Sequence, residues 1–281
     1  MTFKGEAAHP SAPTVSKVRV RFAKRGRARF SSHRDVARAM EWALRRAGVP
    51  VSLSHGFSPH PRLSWIGAAP TGAASEAEFV EIGLTVDIDP DDLRREVDAV
   101  LPEGLVVLDV VRSGPGALAD RIDGSEWRIE FPGVEPDALA AAVEQVLATE
   151  VVEVERMTKN GMRTLDVRSA LVRLTADAVT NRPDERHPDD GRAGYDGTPT
   201  RQITLADPHA RARTAVCGTL SAVVRHTTPA VRPDDVVSAL RSVAGLEPPV
   251  PVKSTRTAQG RLDDDGALLD PLEVDRAATG R

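Results

Sequence analysis

Twelve basic residues crowd one fifty-residue stretch of this chain: Lys17, Arg19, Arg21, Lys24, Arg25, Arg27, Arg29, Arg34, Arg38, Arg45, Arg46 and Arg62. Only Asp35 and Glu41 oppose them between residues 17 and 66, so the stretch carries +10 in a 281-residue chain whose net charge is −4. Guanidinium groups at that density suit a polyanion, because each can hold a phosphate through charge-assisted hydrogen bonds. The same stretch holds His33, His55 and His60. Imidazoles can ligate a metal or move protons. Their spacing matches no metal-ligand pattern on a helix, and no carboxylate accompanies them locally.

A helix must position the arginines. Ser32 with Asp35 three residues on forms a capping-box variant, and the residues after it repeat at helical spacing. Val36, Met40, Ala43, Leu44 and Ala47 fall on one face, and Gly48 and Pro50 end the run. At about 100° per residue, Arg34, Arg38 and Arg45 lie within about 40° of one another on the other face, with Trp42 beside them. Three cations along one helix suit successive phosphates, and an indole can stack on a base. The helix start at Ser32 adds free N–H groups, and the turn Lys24, Arg25, Arg27, Arg29 leads into it. The loop His55-Gly56-Phe57-Ser58-Pro59-His60-Pro61-Arg62 adds an aromatic, two histidines and another arginine to a turn stiffened by proline. The competing reading is a solvated helix face, with Arg19 and Arg21 neutralised by Glu78 and Glu81 on a neighbouring strand.

Around these residues the periodicity alternates between strand and helix. Val18, Val20 and Phe22 mark a strand; the capped helix follows, then a short strand at Val51–Leu53. Phe79–Val86, a helix opened by Asp89-Pro90, and the apolar strand Leu105–Val111 complete a β-α-β-β-α-β order. The second half repeats the plan. Trp127–Phe131, Glu135–Ala148, Val151–Arg156, a Lys159-Asn160-Gly161 turn, Met162–Leu174, Gln202–Leu205, Pro233–Val243 and Val250–Thr255 read as its elements. The expected fold is therefore α+β, two ferredoxin-like (βαββαβ) sandwiches in tandem, with a single larger sheet as the alternative. The expected boundaries are a disordered leader at 1–16, a basic domain at 17–113, a second domain at 125–257, a flexible insertion at 181–200 and a disordered acidic tail at 258–281.

Much chemistry is missing from the sequence. It has no phosphate-binding G-x-x-x-x-G-K-[ST] loop, no G-x-G-x-x-G, no H-E-x-x-H and no G-x-S-x-G. The single cysteine, Cys217, excludes a disulfide framework and sits in an apolar run that predicts a buried thiol. His226 and His209 show no partner. No apolar run approaches a membrane span and the start lacks a signal-peptide core, so a cytoplasmic protein that avoids membranes is expected. No catalytic residue, metal-ligand set or cofactor is read from the sequence.

Three stretches together resemble a known family. They are Val20-Arg21-Phe22-Ala23-Lys24 through Phe30-Ser31-Ser32-His33-Arg34-Asp35, then Ser54-His55-Gly56-Phe57-Ser58-Pro59-His60-Pro61-Arg62-Leu63-Ser64, then Glu76-Ala77-Glu78-Phe79-Val80-Glu81. The chain resembles the radical-SAM-linked conserved hypothetical proteins, domain of unknown function 2344, well over residues 17–110 and loosely beyond. The resemblance implies an association with radical-SAM proteins, and with ribonuclease E/G-type proteins for free-standing forms, without implying a reaction. The C-x-x-x-C-x-x-C ligands of a radical-SAM core are absent from this chain.

Three functions stand open at this point. The first is a non-catalytic RNA- or tRNA-binding accessory or substrate-presenting subunit for an RNA modification or processing enzyme. It would use Lys24, Arg25, Arg27, Arg29, Ser32, Arg34, Arg38, Trp42, Arg45, Phe57 and Arg62, with His33, His55 and His60 at the rim. The second is an enzyme or metal protein centred on those three histidines. The third is a scaffold that holds an acidic protein on the same basic surface.

Overall fold

In the computed structural model, residues 12–158, 161–177 and 216–279 are described. The chain forms an α+β fold around one nine-stranded sheet. Its first half runs β1 (Ser16–Lys24), a 3-10 turn (Gly26–Phe30), α1 (His33–Arg46), β2 (Leu63–Ile66), β3 (Ala74–Leu84), α2 (Pro90–Asp98) and β4 (Leu105–Arg112). These strands lie in the order β4-β1-β3, with β2 on the far edge of β3, and every neighbour is antiparallel.

The second half runs β5 (Gly124–Pro132), α3 (Pro136–Ala148), the hairpin β6 (Glu153–Thr158) and β7 (Gly161–Asp166), α4 (Val167–Ala170) and β8 (Leu171–Asp177). It closes with β9 (Cys217–Arg225), α5 (Pro233–Ala244) and β10 (Lys253–Leu262). Here the order is β10-β5-β9-β8, again antiparallel throughout. The halves join where β10 runs parallel to β3 over two residue pairs, Thr255 with Ala74 and Arg256 with Ser75. The two expected sandwiches are thus halves of one sheet.

Each half has its own core on the helix-covered face. Val18, Val20 and Phe22 pack with Met40 and Leu44 of α1 and Leu93 of α2. Trp127, Ile129 and Phe131 pack with Leu139 of α3 and Leu240 of α5. α1 forms where the sequence places it, because Ser32 Oγ accepts the Asp35 amide and Asp35 returns the bond to the Ser32 amide. Its end is fixed by Gly48 at φ +68°, a conformation that a side chain resists.

Four expectations are corrected. The strand expected at Val51–Leu53 makes only isolated bridges, Val51 with Leu84 and Leu53 with Pro61; the strand that extends β3 is β2, after the histidine loop. The Met162–Leu174 strand breaks at α4, where Asp166 accepts the Arg168 amide and turns the chain. Cys217 is exposed at the start of β9, with burial of its immediate surroundings, followed by the nearby Glu130 charge, raising its thiol pKa. The segment expected as a disordered acidic tail is ordered, completing β10 and then forming β11 (Leu268–Leu269) and α6 (Glu273–Thr279). It packs on the back of the first half, where Leu272 joins Ala77, Phe79, Val111, Leu118 and Ile122 in a third apolar cluster. Acidic residues served there as specific partners, which composition cannot show. Residues 1–11 of the expected leader, the insertion 181–200 and the Gln202–Leu205 strand lie outside the described residues.

Candidate nucleic-acid interface

β1 has two covered faces, and that decides the fate of its cations. Val18, Val20 and Phe22 face the helices, so Arg19 faces the C-terminal segment and is 1% exposed. Its Nη1 donates to both Asp275 oxygens at 2.8 Å, and its Nε donates to Glu81 at 3.1 Å. Arg121 joins at 3.0 Å from Asp275, and Lys17 lies 2.8 Å from Glu81. Burial would push the Glu81 carboxyl up, but hydrogen bonds from Lys17, Arg19 and Ser113 outweigh it and hold its pKa below the ordinary value. Arg21 donates to the Glu76 carbonyl at 2.9 Å.

Three of the four expected cations of the turn likewise have internal partners. Lys24 is buried, with its Nζ on the Ala69 and Pro70 carbonyls at 3.4 and 3.3 Å. Arg25 grips Glu76, at 2.7 Å through Nε. Arg29 donates to the Gly72 carbonyl at 2.6 Å and lies 5.7 Å from the Phe30 ring. These groups hold the turn and the 69–76 segment to the sheet. Arg27 is exposed and makes no ion pair among the described residues.

On α1 the arginines are differently placed. The buried Val36, Met40, Ala43 and Leu44 point its opposite side outward. Arg34, Arg38 and Arg45 are exposed, and none makes an ion pair among the described residues. Trp42 is 51% exposed, and the Arg46 guanidinium sits 5.2 Å over its ring. Arg46 was not among the residues expected here; its i,i+4 spacing from Trp42 is the signal that points to it. Ser32 is spent on the cap. Phe30, 67% exposed beside Arg29, is a second surface aromatic that the sequence reading left unassigned.

The histidine loop is a closed hairpin that presents Phe57 entirely to solvent, at 102% relative exposure. The Ser54 amide donates to the His60 carbonyl at 2.8 Å, and the His60 amide donates back to Ser54 Oγ at 3.0 Å. Arg62 braces the hairpin from below. It donates to the Leu53 carbonyl at 3.1 Å and to His55 Nδ1 at 3.0 Å, so that nitrogen is an acceptor. His33 lies apart, edge-on to Trp65 at 5.3 Å between centroids, with Trp65 in turn 6.0 Å from Phe22. The His55 and His33 rings thus have separate partners, Arg62 and Trp65, while His60 is held through its backbone. Among the described residues no group of three His, Cys, Asp or Glu side chains could hold a metal ion.

One pairing was invisible in the sequence. Ser125 Oγ of β5 lies 2.7 Å from Nε2 of His226, the histidine that showed no partner. Ser125 faces Val224 across the β5–β9 ladder, two residues from His226, so only strand register reveals the contact. Desolvation, then the nearby Arg256 charge, lower the His226 pKa against the opposing pull of Asp123.

No curated protein matches the chain. A family model described as an uncharacterized protein conserved in bacteria, DUF2344, matches residues 17–233. That match takes in β1, the arginine face of α1, the histidine loop and the Ser125–His226 pair, while Arg256 and Asp275 lie beyond it. On this coverage the chain belongs to the DUF2344 family of uncharacterized bacterial proteins.

Proposed function

We propose that this protein is an RNA-binding accessory subunit, without catalytic groups of its own, that presents RNA to a modification or processing enzyme. The observation that carries the reading is the contrast within one basic stretch. Cations on β1 and in the turn are largely consumed by internal partners, while Arg34, Arg38 and Arg45 stand exposed on α1 beside Trp42. Unpaired guanidiniums next to a surface indole suit phosphates and an unstacked base together. Phe57 at the hairpin tip and Phe30 beside Arg29 are further exposed aromatics, and Arg27 and Arg62 further exposed cations, that RNA could use.

A radical-SAM or ribonuclease E/G-type enzyme as partner, and a cytoplasmic location, belong to the same proposal. Among the described residues no helix is long and apolar enough to cross a membrane. We further propose that each half is a ferredoxin-like βαββαβ sandwich, a reading supported by the matching strand orders β4-β1-β3-β2 and β10-β5-β9-β8.

Fluorescence anisotropy with labelled single-stranded RNA at several salt concentrations tests it. The wild-type affinity should fall steeply with salt, and Arg34→Ala with Arg38→Ala should weaken binding about tenfold or more. The double variant should also flatten the log–log salt slope by about 1 to 2, as expected for two lost phosphate contacts. Equal binding by the double variant refutes the assignment. An acidic protein captured equally well after nuclease treatment would replace it with the scaffold reading.

A further inference from the structure

At the seam between the two halves opens a cleft of about 350 Å³, within the size range of small-molecule sites. The first half contributes Gly67, Ala68 and Pro70; the second contributes Ser125, His226 and Arg232, and Arg256 of β10 lies between them. No residue that lines it is a carboxylate. The acids around it have protein partners: Glu78 is ion-paired with Arg256, Asp123 accepts the Leu262 amide at 2.7 Å, and Asp235 pairs with Arg156 at 2.5 Å while accepting the Arg232 backbone amide at 2.7 Å.

Behind the cleft wall the buried charge does not balance. Lys24 and Arg256 are 2% and 3% exposed, and the one buried carboxylate beside them is Glu78. Arg256 takes Glu78 as its ion-pair partner and fills its remaining bonds with Ser75 Oγ at 3.2 Å, the Gly67 carbonyl at 2.6 Å and Gln259 at 3.3 Å. Lys24 is left with two carbonyls at 3.3 and 3.4 Å, one of them from Pro70 in the cleft wall. Burial lowers the Lys24 pKa against the pull of Glu78, and an anion approaching the wall would oppose that cost, the low local dielectric making its approach effective.

We propose that this cleft binds a phosphate monoester of about mononucleotide size, held by Arg232 and His226. Both side chains are exposed to the cleft, and Arg232 makes no ion pair among the described residues. Ser125, only 2% exposed, is a positioning residue that fixes the His226 ring. Arg256, fully engaged and 5.6 Å from the Trp127 ring, supplies a fixed charge to the site without touching the ligand. This site does not depend on the α1 arginines. The phosphate monoester has two sources, a free nucleotide or the phosphorylated end of an RNA.

Calorimetric titration of the full chain tests the inference, using adenosine and uridine 5′-monophosphates, the unphosphorylated nucleosides, and a short RNA with and without a terminal phosphate. The monophosphates should bind and the nucleosides should not. Arg232→Ala and His226→Ala should each weaken binding about tenfold, the scale of one charge-assisted contact, while melting as wild type does. Arg34→Ala with Arg38→Ala should leave mononucleotide binding unchanged even where it abolishes RNA binding along α1. A phosphorylated RNA that binds more tightly than its hydroxyl-ended twin, with the gain lost in Arg232→Ala, identifies an RNA end as the ligand. Mononucleotide binding without that gain identifies a free nucleotide. Nucleosides that bind as well as monophosphates, no binding of any phosphorylated probe, or affinity unchanged in both cleft variants would each overturn the proposal.

Discussion

β1 with its following turn, and α1 immediately after, draw on the same arginine-rich stretch yet use it in opposite ways. On β1, Lys17 and Arg19 are locked to Glu81 and Asp275, and Arg21 is bonded to a backbone carbonyl. In the turn, Arg25 and Arg29 tie down the 69–76 segment. On α1, Arg34, Arg38 and Arg45 are exposed with no ion pair among the described residues. The cause is geometric. A strand in the middle of this sheet has both faces covered, by helices on one side and the C-terminal segment on the other, so a cation there must be paired. A surface helix buries one stripe and leaves the rest to water. A dense run of charge therefore marks a binding surface only where the backbone leaves it an outward face.

Breaking the buried side of this comparison should have the largest effect. Asp275→Ala leaves Arg19 buried without its main partner and should destabilise the fold by about 3–5 kcal/mol in chemical denaturation. Arg38→Ala, on the exposed side, should move stability by no more than about 0.5 kcal/mol. A mild phenotype for Asp275→Ala would mean that the C-terminal segment contributes little to the first half. Next in size is Phe57→Ala. At an exposed hairpin tip it should leave the melting temperature unchanged and cost RNA binding about 1–3 kcal/mol by anisotropy, the scale of one stacked base. Ser32→Ala should cost about 1 kcal/mol of stability by removing the acceptor for the Asp35 amide, without altering the salt slope of RNA binding.

The smallest effect sharpens the comparison by pH. Glu81 has its folded pKa held below the ordinary value by Lys17 and Arg19, so the unfolded chain takes up the proton first as the solution is acidified. Its contribution is complete above the ordinary carboxylate value of about 4.3 and is lost as pH falls below that toward the folded value. Denaturation midpoints of wild type and Glu81→Gln should therefore converge as the solution is acidified through that window. A gap that stays constant into strong acid would show that the Glu81 charge is not what stabilises β1.

Legibility in the sequence followed how local each cause was. α1 was readable to within a residue, because its cap, apolar stripe and stop signal all lie inside its own span. The α+β class and the positions of α2, α3 and α5 were readable for the same reason. β10 was only partly readable. Thr255, Arg256, Thr257 and Gln259 look like loop residues, yet the strand is central, and Arg256 and Gln259 are buried because Glu78, Ser75 and the Ala77 carbonyl await them. β2 was missed because four residues, Leu-Ser-Trp-Ile, are too few to show a period of two, and Cys217 was misjudged because the β9 residues after it are largely buried while Cys217 itself is exposed.

For the candidate site, the sequence by itself determined that residues 17–66 hold an excess of cations, that one helix displays three of them on a single face, and that a histidine-flanked aromatic sits in a stiff loop. Those properties depend on residue type and short-range spacing alone. Which cations remain available was decided only by the tertiary structure, since Glu81 and Asp275, the partners of Arg19, lie 62 and 256 residues away. The same holds for the seam cleft, where Ser125 and His226 are 101 residues apart and Arg256 meets Glu78 across 178. Charge density is a local quantity. Charge neutralisation depends on which distant segments the fold brings within a few ångströms.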